Sequence, residues 1–164
     1  MDSPVASAPS CSSAIEAARR AIAKHAGRPG PLLPLLHELV HELGWIPAET
    51  VPVIAEALNL SRAEVHGVIT FYPHFRTQPP GRVRVEVCRA ESCQAMGSDA
   101  LAEHVRGRLG CEFAAKSEDG HYSLDPVYCL GLCAQSPSIM VNGRPHARMT
   151  PEKFDALMAR ADLA

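Results

Sequence analysis

Four cysteines fall into two pairs, Cys88-x4-Cys93 and Cys129-x3-Cys133. Each pair follows a stretch with strand character, so two neighbouring loops converge on one metal centre. Sulfur ligands select zinc, copper(I) or iron–sulfur clusters. Zinc sites commonly use C-x2-C pairs, whose tight turn aims both sulfurs at one ion. A two-iron cluster is wider and is held by four cysteine thiolates. Longer loops suit it, and Gly131 within Cys129-Leu130-Gly131-Leu132-Cys133 lets the backbone come close. The spacing favours the cluster and leaves a zinc-stabilised interaction module open; colour separates the two. A thioredoxin-type dithiol would need C-x-x-C, which this chain lacks.

The other chemical signals are weaker. His37-Glu38-Leu39-Val40-His41 matches H-E-x-x-H, which on a helix places two histidines one turn apart as in zinc proteases. The surrounding leucines claim that helix for packing, so both histidines read as ordinary helix residues. Cys11 reads as a tail thiol, and Cys111, at the start of a strand, as a small core residue. Met96 and Met140 read as cavity fillers.

The bulk properties narrow the setting. The 164 residues carry 16 basic and 18 acidic side chains, for a net charge of −2, with no basic stripe. Nucleic acid is therefore not the expected partner. Every apolar run is broken by Glu, His or Pro within a few residues, so no membrane span is expected. The start of the chain is rich in Ser, Ala and Pro, without the basic and apolar regions of a signal peptide. The expected location is the cytoplasm, where thiols stay reduced and grouped cysteines point to metal chemistry. No G-x-G-x-x-G follows a strand, so dinucleotide binding belongs elsewhere.

The elements that must position the cysteines read as two halves. Residues 1–12 form a flexible tail, 13–78 a helical bundle and 81–164 the cysteine-bearing domain. Ser13 with Glu16 opens a helix with Ile15, Ala18 and Ile22 inward. A second helix covers 32–43 and stops at Gly44. A third starts at Pro47 and carries Val51, Ile54, Ala55 and Leu58. Ser61 with Glu64 opens a fourth. After Gln78-Pro79-Pro80-Gly81, residues 82–87 alternate polar and apolar as a half-buried strand. Ser98 caps a helix ending at Gly110. Strands follow at 112–116 and 121–126, then a hairpin around Asn142-Gly143, whose residues accept positive φ. Thr150-Pro151 caps the last helix.

With these motifs in order, the chain resembles the 24 kDa [2Fe–2S] subunit family of respiratory complex I and its relatives. Thirty-five residues separate Cys93 from Cys129, and the helical half matches through Leu43-Gly44-Trp45-Ile46-Pro47 and Val65-His66-Gly67-Val68-Ile69-Thr70-Phe71-Tyr72. The segment Cys88-Arg89-Ala90-Glu91-Ser92-Cys93-Gln94-Ala95-Met96-Gly97 is similar to the gamma subunit of soluble NAD-dependent, molybdenum-containing formate dehydrogenases. Complex I members usually carry Thr, Pro or Val between these cysteines.

The resemblance implies an α+β chain, a helical bundle followed by a thioredoxin-like domain with one [2Fe–2S] cluster on Cys88, Cys93, Cys129 and Cys133. It implies an electron-transfer subunit without catalysis of its own. The implied partners are a subunit that binds FMN and NAD, and a large subunit that oxidises formate on a molybdenum cofactor. Complex I and NAD-reducing hydrogenases are the alternative parents. Positive charge near such a cluster favours its reduced form, and Arg89 beside Cys88 is the candidate.

Overall fold

The computed structural model describes residues 11–161. The chain divides into two compact units, one ending at Pro79 and the other beginning at Pro80. The expected tail lies outside the described residues up to Ser10.

The first unit is built from four helices, α1 (Cys11–His25), α2 (Leu32–Leu43), α3 (Thr50–Leu58) and α4 (Arg62–Phe71). Helix α1 begins at Cys11, two residues before the expected cap, so Cys11 is an exposed helix residue. Its buried face is Ala14, Ala17, Ala18 and Ala21, with the expected Ile15 and Ile22 only half-buried. Small residues on that face let α1 pack closely on α2 and α3. Leu35, Leu36, Leu39, Ile54, Val65 and Ile69 fill the core.

The helix ends follow their residue types. Gly44 closes α2 in the left-handed conformation, with its N–H on the Val40 carbonyl. Pro47 opens a turn rather than α3: the Thr50 N–H and Oγ1 both bond the Pro47 carbonyl, and the helix starts at Thr50. Ser61 and Glu64 form the expected reciprocal capping box on α4.

The second unit carries a five-stranded mixed sheet in the order β2-β3-β1-β4-β5. The strands are β1 (Val83–Cys88), β2 (Ala115–Lys116), β3 (Tyr122–Val127), β4 (Ile139–Val141) and β5 (Arg144–His146). The helices are α5 (Glu91–Ala95), α6 (Ser98–Leu109) and α7 (Pro151–Ala161). Strand β1 runs parallel to β3, in register from Val83 opposite Tyr122 to Cys88 opposite Val127. It runs antiparallel to β4 on its other side. Val83, Val85 and Val87 alternate along β1 into a core with Leu101, Val105, Leu124, Phe154 and Met158. Cys111 is buried in that core, as expected of a small apolar residue.

The hairpin forms where expected, with Asn142 at φ 47° and Gly143 at φ 76°. Thr150 caps α7 through the Lys153 N–H. Ser98 does not cap α6. Gly97, in the left-handed conformation, takes the cap position, and Ser98 Oγ is buried without a hydrogen-bond partner.

Gly81 leads into β1 against the β3 backbone. A Cβ there would lie 2.4 Å from the Tyr122 carbonyl carbon and 2.7 Å from the Ser123 nitrogen. Backbone cannot yield as a side chain can, so Gly81→Ala should destabilise this unit by about 1–3 kcal/mol. Urea unfolding followed by far-ultraviolet circular dichroism checks this, and an unchanged midpoint would contradict it.

Candidate metal centre

The parallel pairing of β1 with β3 makes both strands end at the same edge of the sheet. Cys88 is the last residue of β1, and its N–H bonds the Ser138 carbonyl at 3.1 Å. Arg89 N–H then bonds the Val127 carbonyl at 2.8 Å, so the first loop departs beside the end of β3. Cys93 lies on the short helix α5, within that loop. The second loop leaves β3 at Tyr128 and carries Cys129 and a 3-10 turn, Cys133–Gln135. The four cysteines picked out by their spacing therefore meet at one end of the sheet.

They meet as an inner and an outer pair. Cys88 and Cys93 are buried, at 1% and 2% exposure, whereas Cys129 and Cys133 are exposed. The Cys129 and Cys133 sulfurs are 3.6 Å apart. Two thiolates on one tetrahedral metal with bonds of about 2.3 Å sit about 3.8 Å apart, so this spacing fits a shared ion. Among the described residues, no three His, Cys, Asp or Glu side chains gather around a single ion. The thiols come in twos, and a two-iron cluster takes two per iron.

The outer loop adopts an uncommon backbone to present its sulfurs. Cys129 sits at φ 117°, which non-glycine residues rarely adopt, and Gly131 at φ 75°. The Gly131 N–H donates to Cys129 Sγ at 3.3 Å. A Cβ on Gly131 would meet no protein atom, so its requirement here is the positive φ rather than close approach.

Three serines, which no local sequence pattern marks, tie the two loops together. Ser92 Oγ donates to the Cys133 carbonyl at 3.1 Å and lies 2.9 Å from Ser136 Oγ. Ser136 Oγ also reaches the Cys133 carbonyl at 2.9 Å and lies 3.5 Å from Cys93 Sγ. Ser138 Oγ lies 3.6 Å from the same sulfur. Burial pushes the Cys93 thiol up, but hydrogen bonds from Ser136, Ser138 and Cys88 outweigh it and bring it below the usual thiol range. Cys133 moves the other way. Its hydrogen bond with Cys129 and the charge there push it up, and burial and the charges of Cys93 and Cys88 add to the effect. The other three cysteines thus disfavour a negative charge on Cys133, an effect that a bound cation reverses.

Other expected roles change. Arg89 Nη2 pairs with Asp99 Oδ1 at 2.9 Å, and the guanidinium lies 5.4 Å from the centre of the Phe113 ring. Its Nε is buried without a hydrogen-bond partner. Met96 is exposed, as is Tyr128 beside Cys129, so Met96 fills no cavity. In the H-E-x-x-H segment Glu38 turns to Lys24 and His25, at 2.8 Å and 3.5 Å, and its carboxyl is lowered by Lys24 first and then His25. His37 stacks near His74 and Phe75 while His41 is exposed, so these residues do not form a site.

A mixed sheet with two thiol pairs at one strand end defines a sulfur-lined site. The family model described as thioredoxin-like [2Fe-2S] ferredoxin matches residues 18–162, and the chain belongs to that family. NADH-quinone oxidoreductase subunit 2 of Thermus thermophilus is 34% identical over 134 residues, which is 81% of this chain and 74% of that protein. An NADH-quinone oxidoreductase subunit of Rhizobium meliloti is 32% identical, with 84% and 82% covered. NADP-reducing hydrogenase subunit HndA of Solidesulfovibrio fructosivorans is 28% identical, with 79% and 76% covered. An air-oxidised NAD+-reducing [NiFe]-hydrogenase structure matches the fold with a TM-score of 0.66 and 24% identity, over 87% of this chain. This chain spans only 24% of that hydrogenase chain. The fold is thus thioredoxin-like, and no helix among the described residues is long and apolar enough to cross a membrane.

Ser92 is one of the polar links between the loops, so Ser92→Ala should cost about 1 kcal/mol. It should also speed amide exchange across residues 129–136, measured by hydrogen–deuterium exchange. Unchanged protection there would show that the link is dispensable.

Proposed function

We propose that Cys88, Cys93, Cys129 and Cys133 hold one [2Fe–2S] cluster, and that this chain is the electron-transfer subunit of an NAD-linked oxidoreductase. The observation that carries this is the pairing of the thiols, two buried and two exposed, on loops from adjacent parallel strands. The C-x4-C and C-x3-C loops, longer than the C-x2-C turn common at zinc, suit two irons better than one tetrahedral zinc, the occupant of a zinc-stabilised interaction module. Such a cluster takes up and releases one electron at a time. The chain's own task is to hold four thiolates, to shield one pair and to leave the other open to a partner.

For the parent complex we favour a soluble NAD-dependent formate dehydrogenase, with this chain as its gamma subunit. The support is the loop Cys88-Arg89-Ala90-Glu91-Ser92-Cys93-Gln94-Ala95-Met96-Gly97. The flavin and NAD would then sit on one partner subunit, and the molybdenum cofactor on a large formate-oxidising one. A second reading is the equivalent subunit of an NADH-quinone oxidoreductase or an NAD(P)-reducing hydrogenase, which the similar proteins favour. A cytoplasmic location suits either assembly.

Affinity purification of the native assembly separates these readings. Formate dehydrogenase predicts co-purifying molybdenum and formate-dependent NAD reduction. Nickel with hydrogen-dependent reduction, or quinone reduction by NADH, would select the second reading. In the chain alone, Cys129→Ser should abolish or badly weaken the visible absorption while the far-ultraviolet spectrum keeps its helical form. A fully retained visible spectrum would contradict the ligand assignment.

A further inference from the structure

The inner cysteine is surrounded by hydroxyls. Cys93 is 2% exposed and Ser138 is 1% exposed, so no bulk water competes for their contact. Ser138 is also held in place, because its carbonyl accepts the Cys88 N–H at the end of β1 and β4 begins at the next residue. Its Oγ lies 3.6 Å from Cys93 Sγ, with Ser136 Oγ at 3.5 Å from the same sulfur.

The proton inventory fixes the direction of these bonds. A cysteine that ligates a metal has no proton and only accepts. Ser138 must then donate to the sulfur of Cys93. Ser136 has one hydroxyl proton and two acceptors in reach, the Cys133 carbonyl at 2.9 Å and the Cys93 sulfur. Ser92 resolves that competition, since its hydroxyl lies 2.9 Å from Ser136 Oγ and donates to it when Ser136 donates to the sulfur, which leaves one proton in each contact. In the thiol form Cys93 donates to Ser136 and Ser136 to the Cys133 carbonyl; loss of the Cys93 proton to a metal reverses the first of these bonds.

We propose that Ser138 and Ser136 raise the reduction potential of the centre by donating hydrogen bonds to the Cys93 sulfur, and that Ser92 keeps Ser136 available for this. The inference rests on the cluster assignment above. An added electron increases the negative charge on the sulfurs, and donors aimed at a sulfur stabilise that charge more than they stabilise the oxidised state. Backbone groups also act on the sulfurs, Gly131 N–H on Cys129 and the Ser138 backbone on Cys93, and substitution of a serine leaves both in place. Ser136 and Ser138 are positioning residues that act through Cys93.

The test is a redox titration of the full chain, followed by electron paramagnetic resonance, with iron content measured on each sample. Ser138→Ala should keep two irons per chain and shift the oxidised-to-reduced balance about tenfold toward oxidised, a fall of about 59 mV for a one-electron couple. Ser136→Ala should shift it the same way. Ser138→Thr, which keeps the hydroxyl, should stay near the parent potential. A cluster-bearing Ser138→Ala at the parent potential would overturn the proposal. If Ser138→Ala fails to hold iron, Ser136→Ala decides by the same criterion. Loss of iron from both would also overturn it, by making the serines structural supports. A parent chain that binds no iron would instead remove the cluster assignment itself.

Discussion

The parallel pairing of β1 with β3 is the constraint on which the rest of the centre depends. It brings the C-terminal ends of two strands together, with Cys88 opposite Val127, so both cysteine loops leave from one edge. The register is set by the two faces of β1. Val83, Val85 and Val87 enter the apolar core, while Arg84 and Glu86 lie on the other face. Glu86 sits directly opposite Asp125, two buried carboxylates that would repel. Arg84 bridges them, at 2.9 Å from Glu86 and 3.6 Å from Asp125. A slip of one residue would send these charges into the core and the valines out of it.

The edge so formed is asymmetric, and the asymmetry suits a carrier of single electrons. The inner sulfurs are buried, with the Ser136 and Ser138 hydroxyls beside Cys93, whereas the outer sulfurs face solvent beside the exposed Tyr128. In the proposed centre the inner side supplies a fixed polar environment and the outer side supplies access. The strained backbone at Cys129 belongs to the same design. Residues held in sparsely populated conformations cluster where a site must be preorganised.

Features that depend on near neighbours in the chain were legible in the sequence. The Asn142-Gly143 hairpin, the Ser61–Glu64 capping box and the Gly44 stop all formed as their residue types direct. Features that depend on distant partners were not. Ser92 and Ser136 lie 44 positions apart, and nothing in either local pattern marks them as partners. Helix α5 was missed because five residues inside a cysteine loop show no periodicity. Ser98 looked like a cap, but Gly97 reaches the left-handed conformation and takes that place. Arg89 pairs with Asp99 and lies against Phe113, contacts that its place beside Cys88 does not reveal. In α1 the expected stripe of Ile15, Ala18 and Ile22 holds at Ala18, while Ala14, Ala17 and Ala21 are buried in place of the isoleucines.

The central claim is that two thiol pairs hold two irons. Quantifying iron, acid-labile sulfide and zinc in the full chain purified without oxygen tests it most directly. The account predicts two irons and two sulfides per chain, with zinc at background. One zinc per chain, with no labile sulfide and no visible colour, would contradict it.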